Sequence, residues 1–373
     1  MREIELYLHI PFCAQKCGYC DFLSGPGDLE RQRQYKDALL GEIRASKMTG
    51  DVRVTSVFVG GGTPSLLPGE WMEEILACVG ENFILTGDAE ISLEANPGTV
   101  TPEKLSHYRA GGANRISFGC QSADNGELRL LGRIHSWEEF LESFSMARKA
   151  GFSNINVDLM SGLPGQGIAS WEKSLRSVAG LGPEHLSAYS LIIEEGTPFA
   201  GQKFSLPPEE EERLMYERTH EILEEYGYRQ YEISNYARPG YQCRHNVGYW
   251  KRTEYLGLGL GSASLMGGRR FSNTRNMEEY LRDSSSPEKL RRDEELLDRQ
   301  AQMEEFMFLG LRMTEGISEA EFSETFGCGI RQVYGEVISR YVSGGFLREE
   351  NGRLMLTRAG ISVSNPILAD FLL

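Results

Sequence analysis

The stretch Glu5-Leu6-Tyr7-Leu8-His9-Ile10-Pro11-Phe12-Cys13-Ala14-Gln15-Lys16-Cys17-Gly18-Tyr19-Cys20 joins a strand signal directly to three closely spaced thiols. The unit it opens recurs through the first 200 residues: a short run rich in β-branched or aromatic residues, a glycine or polar loop, then a helical stretch. Strands are predicted at Glu5 to Ile10, Thr55 to Val59, Glu90 to Glu94, Arg115 to Gly119, Asn154 to Leu159 and His185 to Ile193. Helical windows lie between them at Arg31 to Met48, Glu70 to Val79, Pro102 to Ala110, Trp137 to Ala150 and Ile168 to Ala179, with glycine stops expected at Gly80 and Gly151. Six strands with helical crossovers predict an α/β fold, a partial (βα)6 barrel of the TIM type. In such folds the chemistry sits at the C-terminal ends of the strands.

After a helix from Pro207 to Tyr226 the pattern changes. Residues from Tyr231 to about Asn276 are rich in Gly, Tyr and Asn and read as irregular, and Asp283-Ser284-Ser285-Ser286-Pro287 reads as a linker. Three helical patterns follow, Gln300 to Arg312, Ser318 to Phe326 and Ile330 to Ser343, then a hairpin from Phe346 to Leu356 across Asn351-Gly352. Three helices and a hairpin predict a C-terminal helical, winged-helix-like domain. The expected division is a core domain over 1–230, an irregular connecting region over 231–283 and the winged-helix-like domain over 284–373. The third helix carries only Arg331 and Arg340 with Glu336 between them, poor equipment for reading DNA. A docking or lid role is the plainer expectation.

Across 373 residues, 39 Lys+Arg stand against 54 Asp+Glu, a net charge of −15. Broad electrostatic binding to nucleic acid needs a cationic surface, so no nucleic-acid partner is expected. At 40% hydrophobic residues the chain is too apolar for wholesale disorder. No run approaches the roughly 18 apolar residues of a membrane span, and Met1-Arg2-Glu3-Ile4-Glu5-Leu6 lacks the apolar core of a signal peptide, so a cytoplasmic location is expected. An odd count of seven cysteines there points to metal binding, redox chemistry or burial before disulfides.

Cys13, Cys17 and Cys20 fall within eight residues, a spacing that chance would produce roughly 0.2% of the time at seven cysteines per 373 residues. Structural zinc prefers four ligands in two CxxC pairs, which this sequence lacks. Iron–sulfur cubanes take thiolates, and three of them leave a fourth iron open to a small molecule. Cys78, Cys120 and Cys328 read as buried small hydrophobes.

Tyr7-Leu8-His9-Ile10-Pro11-Phe12-Cys13 leading into CxxxCxxC resembles the radical S-adenosylmethionine (SAM) superfamily, and within it the branch of oxygen-independent coproporphyrinogen III oxidase and its haem-chaperone relatives. The resemblance implies a 4Fe-4S cluster on Cys13, Cys17 and Cys20, and SAM bound at the open iron and cleaved to a 5′-deoxyadenosyl radical. Gly60-Gly61-Gly62-Thr63-Pro64 closes the second strand, where glycines let backbone approach a ligand. In the family this motif meets the SAM amino group, which implicates Gly61, Gly62 and Thr63. Glu94, Gln121 and Asp158 are polar side chains in or ending apolar strands, costly unless they meet polar partners, and Arg133 is a planar donor suited to a carboxylate. By resemblance these four line the SAM site, with Tyr7 and Tyr19 nearby; taken singly, each serves equally well as a structural ion pair or cap.

Two features separate the branches. The oxidase pattern continues CxxxCxxCxC, whereas here Phe22 stands two residues beyond Cys20, as in the haem chaperones. Gly240-Tyr241-Gln242-Cys243-Arg244-His245-Asn246-Val247-Gly248-Tyr249-Trp250 contains the chaperone branch's HNxxYW. An imidazole can ligate haem iron, and aromatic faces can meet a porphyrin, so His245 is the expected haem residue, with Cys243 as the other ligand in reach. The expected function is a haem chaperone that binds haem as cargo and passes it to apo-haemoproteins, served by a flavodoxin- or ferredoxin-type electron donor. The alternative is anaerobic coproporphyrinogen III oxidase; an RNA-modifying radical SAM enzyme is disfavoured by the charge. For the C-terminal domain a homodimer contact, haem enclosure and peripheral membrane contact all stay open.

Overall fold

The computed structural model describes residues 2–48 and 50–373; Met1 of the N-terminal stretch lies outside them. The first half consists of βα units: β1 (Arg2–Ile10), α1 (Leu29–Ala45), β2 (Val52–Gly61), α2 (Gly69–Asn82), β3 (Leu85–Ala95), α3 (Pro102–Ala110), β4 (Arg115–Gln121), α4 (Asn125–Leu130), α5 (Trp137–Lys149), β5 (Ile155–Ser161), α6 (Ile168–Ala179), β6 (His185–Ser190) and α7 (Glu209–Glu225). Strands β1 to β6 pair in order and all in parallel. Strand β4 is buried along its whole length, and the other central strands nearly so, because helices cover the outer face and side chains fill the inner one. The helices begin where side-chain oxygens can take orphan N–H groups: Asp28 caps α1, Thr101 caps α3, and Ser136 with Glu139 forms a capping box on α5. One apolar core runs from Ile4 to Leu290 through the barrel wall.

The expected irregular region is not irregular. Residues 231–283 hold part of a short antiparallel edge, β7 (Arg229–Gln230) and β8 (Asn235–Ala237), which extends the sheet beyond β6. Then come α8 (Arg244–Trp250), β9 (Tyr255–Leu258), β10 (Ala263–Met266), β11 (Arg269–Asn273) and α9 (Met277–Asp283). Strand β9 lies parallel to β1, and β10 and β11 continue antiparallel from it. The glycine-rich run 257–262 allows this: Gly259 has φ +103°, and a Cβ there would sit 2.7 Å from the His9 carbonyl. Glycine and tyrosine density hid these strands, which are too short to show a period of two.

The expected linker 283–287 joins two helices, and its residues 284–286 are a turn packed on α1, with Ser284 buried and Ser285 against Gly41, followed by α10 (Pro287–Leu290) and β12 (Arg291–Leu296), the last strand of the large sheet. The small module's own core starts at α11 (Arg299–Gly310) and continues through β13 (Ile317–Ser318), α12 (Glu319–Phe326), α13 (Ile330–Ser343), β14 (Leu347–Glu350), β15 (Arg353–Leu356), α14 (Arg358–Ser362) and α15 (Ser364–Ala369). Three helices with a β13-β15-β14 sheet make a winged-helix arrangement, and the wing turns at Asn351 (φ +53°) and Gly352 (φ +72°). Both arginines of α13 are paired, Arg331 with Glu349 and Arg340 with Asp370. Gly151 stops α5 at φ +91° as expected, but Gly80 lies inside α2, which runs on to Asn82. Among the described residues no helix is long and apolar enough to cross a membrane.

Candidate functional site: the cysteine loop and the barrel mouth

The loop after β1 is pinned along its length. Cys13 N–H donates to the Gly25 carbonyl (3.0 Å), Gly18 N–H to Leu131 (3.2 Å), Phe199 N–H to Gly18 (2.9 Å), and the Lys16 ammonium to the Phe22 carbonyl (3.0 Å). Gly18 is required there because a Cβ would lie 2.2 Å from the Phe199 ring. Cys13, Cys17 and Cys20 are free thiols that border one cavity of about 420 Å³. Cys78 and Cys120 are buried as expected, whereas Cys328 is only half-buried.

Gly61, Gly62, Thr63, Glu94, Gln121, Arg133, Asp158 and Tyr19 border the same cavity. The N–H groups of the glycine turn are spent on the protein: Gly61 donates to Glu94 Oε2 (3.1 Å), Gly62 to the Ile10 carbonyl (2.8 Å) and Thr63 to the Phe12 carbonyl (2.7 Å). An ammonium group is a donor, so what it needs from this turn is carbonyl oxygen. Arg133 ties the mouth together, donating to Asn96 Oδ1 (2.7 Å), the Gly119 carbonyl (2.6 Å) and Cys17 Sγ (3.7 Å). Gln121 ends β4 at φ +68° beside a register shift, a bulge that turns its amide toward the Tyr189 hydroxyl (3.0 Å). Asp158 accepts from Asn156 (2.7 Å). Burial, reinforced by the Asp158 charge, pushes Glu94 up to about 8, and burial also raises Asp158. Two crowded carboxyls are a setting that a cationic ligand would relieve.

Tyr7 is not on this cavity. Its hydroxyl bonds His9 Nδ1 (3.0 Å), and it borders a second cavity of about 350 Å³ on the other side of Phe22. Burial and the neighbouring Glu94 charge raise the pKa of the Tyr7 hydroxyl, so Tyr7 stands beside the site carboxyl without lining the cavity. Neither His245 nor Cys243, the expected haem residues, has a free ligand atom here. His245 is 1% exposed, with Nδ1 on Ser56 Oγ (2.8 Å) and Nε2 on the Tyr249 hydroxyl (3.0 Å), and its ring stacks on Phe58. Burial pushes its pKa down to about 3, so it is a neutral structural ring with both nitrogens occupied. Cys243 is fully buried with its thiol on Glu90. One side chain of α8 does reach the large cavity, and it is Asn246. Sequence reasoning passed over Asn96, Ser117, Ser187, Tyr189, Asn235 and Asn246 on this cavity; Asn96, beside Glu94 at its strand end, and Asn246, within HNxxYW, were the two with a signal.

Beneath the site, Glu5 is 3% exposed and lies 3.6 Å from His245. Burial pushes it up to about 9, against hydrogen bonding by Ser56. A carboxyl raised in the native state keeps a proton that the unfolded chain releases above its ordinary value of 4.5, so stability falls as pH rises from about 4.5 to about 9. Glu94 acts in the same direction. Glu5→Gln should remove its share: between pH 6 and pH 8 the wild type should lose about 1–2 kcal/mol more than the variant, at up to ~1.4 kcal/mol per pH unit. Urea midpoints at the two pH values check this, and parallel losses would refute it.

Residues 7–178 match the Radical SAM superfamily and residues 297–363 the HemN C-terminal domain. The chain is 34% identical to heme chaperone HemW of Lactococcus lactis subsp. lactis (98% of this chain, 97% of the relative) and 35% identical to heme chaperone HemW of Bacillus subtilis (98% and 98%). It belongs to the HemW family of radical SAM proteins. A third HemW, from Escherichia coli strain K12, is 36% identical over 100% of this chain and 99% of its own. The fold is that of coproporphyrinogen III oxidase from Escherichia coli, at TM-score 0.87 and 24% identity over 100% of this chain and 90% of that one. Family membership brings a 4Fe-4S cluster and SAM as cofactors. The residues present fit both groups. Three reduced thiols border one cavity, Arg133 Nε is buried there without a partner, and a Cβ on Gly62 would come within 2.5 Å of the Phe12 carbonyl, so backbone alone can line that turn.

Proposed function

We propose that this protein binds haem and passes it to apo-haemoproteins, with Cys13, Cys17 and Cys20 holding the cluster and the cavity between Gly61 and Asp158 holding SAM. The cluster supplies one electron at low potential and an open iron for the amino and carboxylate groups of SAM. Arg133 orients the ligand carboxylate while steadying the Cys17 sulfur. Glu94 holds the glycine turn in place through Gly61 N–H, and Gln121, set by Tyr189, offers its amide to the ligand. A flavodoxin- or ferredoxin-type protein supplies the electron.

The observation that carries the cargo reading is Phe22. It stands two residues beyond the last cysteine, is 59% exposed, and borders both the 420 Å³ and the 350 Å³ cavities. A large exposed ring beside a cofactor loop offers a flat apolar face that a porphyrin can stack on. Haemin titrated into the anaerobically reconstituted protein should give a stoichiometric Soret shift, and Phe22→Ala should weaken binding about tenfold, the worth of one aromatic contact. Absence of any shift in the wild type overturns the reading. Vinyl products from coproporphyrinogen III, SAM and a reductant would replace it with the oxidase.

A further inference from the structure

The 350 Å³ cavity beyond Phe22 lies between the end of the cysteine loop and the strands that β9 to β12 add to the barrel. Phe22 and Leu23 stand on one side of it, and Gly261, Ala263 and Arg275 on the other. Its rim is exposed at Phe22, Ala263 and Arg275, so it takes an edge of a ligand without enclosing it.

Arg275 is carried by fixed backbone. Gly261 N–H donates to the Thr274 carbonyl (3.0 Å), Thr274 N–H to the Leu290 carbonyl (2.7 Å) and Asn276 N–H to Thr274 Oγ1 (3.2 Å). Gly261 has φ +66°, and a Cβ there would lie 2.5 Å from Leu23 Cδ2 and 3.6 Å from Arg275 Cγ, so glycine leaves both side chains room over the turn. The neighbouring arginines are spent on the protein: Arg269, Arg270, Arg282, Arg291 and Arg292 each meet a carboxylate. Arg275 has neither an ion pair nor a hydrogen bond among the described residues, although the chain carries 54 Asp+Glu. Its planar fork is left for a carboxylate from outside.

An exposed aromatic face and an unpaired guanidinium on one cavity fit a flat apolar ring that carries carboxylate arms. We propose that this cavity seats the haem cargo, with Phe22 against the ring face and Arg275 on a propionate. The proposal rests on the haem-binding reading of Phe22 and adds which cavity holds the ring and which group reads its edge. Asp21 and Asp293 face the same cavity, and Asp293 also accepts from Ser272 Oγ (3.4 Å). Both repel propionates, which confines the carboxylate edge of the ring to Arg275. His9, the histidine on this cavity, has Nδ1 bonded to the Tyr7 hydroxyl (3.0 Å) and Nε2 to the Leu23 carbonyl (2.9 Å), so it offers the iron no free nitrogen. Holding by face and edge suits a cargo that must be released.

The test is titration of the anaerobically reconstituted holoprotein with haemin and with haemin dimethyl ester, followed at the Soret band, with and without saturating SAM, as wild type, Arg275→Gln and Asp293→Asn. Both positions are exposed, and asparagine tolerates the left-handed backbone at residue 293 (φ +51°), so the variants keep the fold. Haemin should bind about tenfold more weakly to Arg275→Gln, and more tightly to Asp293→Asn, than to the wild type. The ester has no carboxylate charge and should bind all three alike. SAM fills the other cavity and should leave haemin affinity unchanged. Equal haemin affinity in wild type and Arg275→Gln, a matching loss of the ester in that variant, no gain in Asp293→Asn, or displacement of haemin by SAM overturns the seat while haem binding stands. A wild type that gives no Soret shift overturns the haem reading and the seat together.

Discussion

Cys17→Ser is expected to remove the cluster outright: loss of the brown chromophore and of roughly four irons per chain, with the fold retained. Cys17 is half-buried on the cavity wall, and the contacts that shape its loop are made by backbone, Cys20 N–H to the Cys17 carbonyl (3.2 Å) and Gly18 N–H to Leu131. Its sulfur takes one long bond from Arg133, which the serine oxygen can replace. Iron should therefore vanish while the unfolding midpoint of the apo protein moves by no more than about 1 kcal/mol. Cys78→Ser is the control. That thiol is 3% exposed in the barrel core, so the variant should keep its iron and lose stability. Unchanged iron in Cys17→Ser would show that the triplet is not the cluster site.

Gly248→Ala should be the most damaging single methyl in the chain's HNxxYW helix. A Cβ at this position would sit 2.1 Å from Glu5 Oε1 and 2.3 Å from its Cδ, and Glu5 is walled in by Ser56, His245 and Glu90. Either the carboxyl moves into the His245 ring or α8 lifts from the barrel. Overpacking of this kind costs about 3 kcal/mol. Glu5→Ala/Gly248→Ala should recover most of that loss because the clashing group is gone, so a double-mutant cycle on urea midpoints should give strong favourable coupling. Additive losses would mean that the clash is relieved elsewhere. Since α8 also carries Asn246, the single variant should lose SAM affinity along with stability, and the double variant should regain both.

Much of the fold is readable from local pattern. Each βα unit repeats a strand signal and a helical window, and β1 to β6, α1 to α3 and α5 to α7 appear within a few residues of the predicted positions, as do α11 to α13 and the Asn351-Gly352 turn, whereas the short helices α4, α14 and α15 have no predicted counterpart. The missed part, 231–276, has strands of three to five residues that exist only because they add to edges of an existing sheet. Gly80 misled because a glycine tolerated inside a helix is identical in sequence to one that ends it. In the site, the motifs at successive strands announced Glu94, Gln121 and Asp158 around one cavity, since strand order alone brings those ends together, and Arg133 joins them from the loop after α4.

His245 marks the boundary of that legibility. The order of βα units, the three clustered thiols and the polar residues at strand ends are legible because they depend on local spacing and on a parallel sheet that aligns its own C-terminal edge. Which face of the seven-residue α8 meets the barrel is instead a matter of packing. That choice turned the histidine inward to Ser56 and Glu5, left the adjoining asparagine on the cavity and joined β9 to β1, because successive helix residues point about 100° apart and only the packed neighbours select which one is buried.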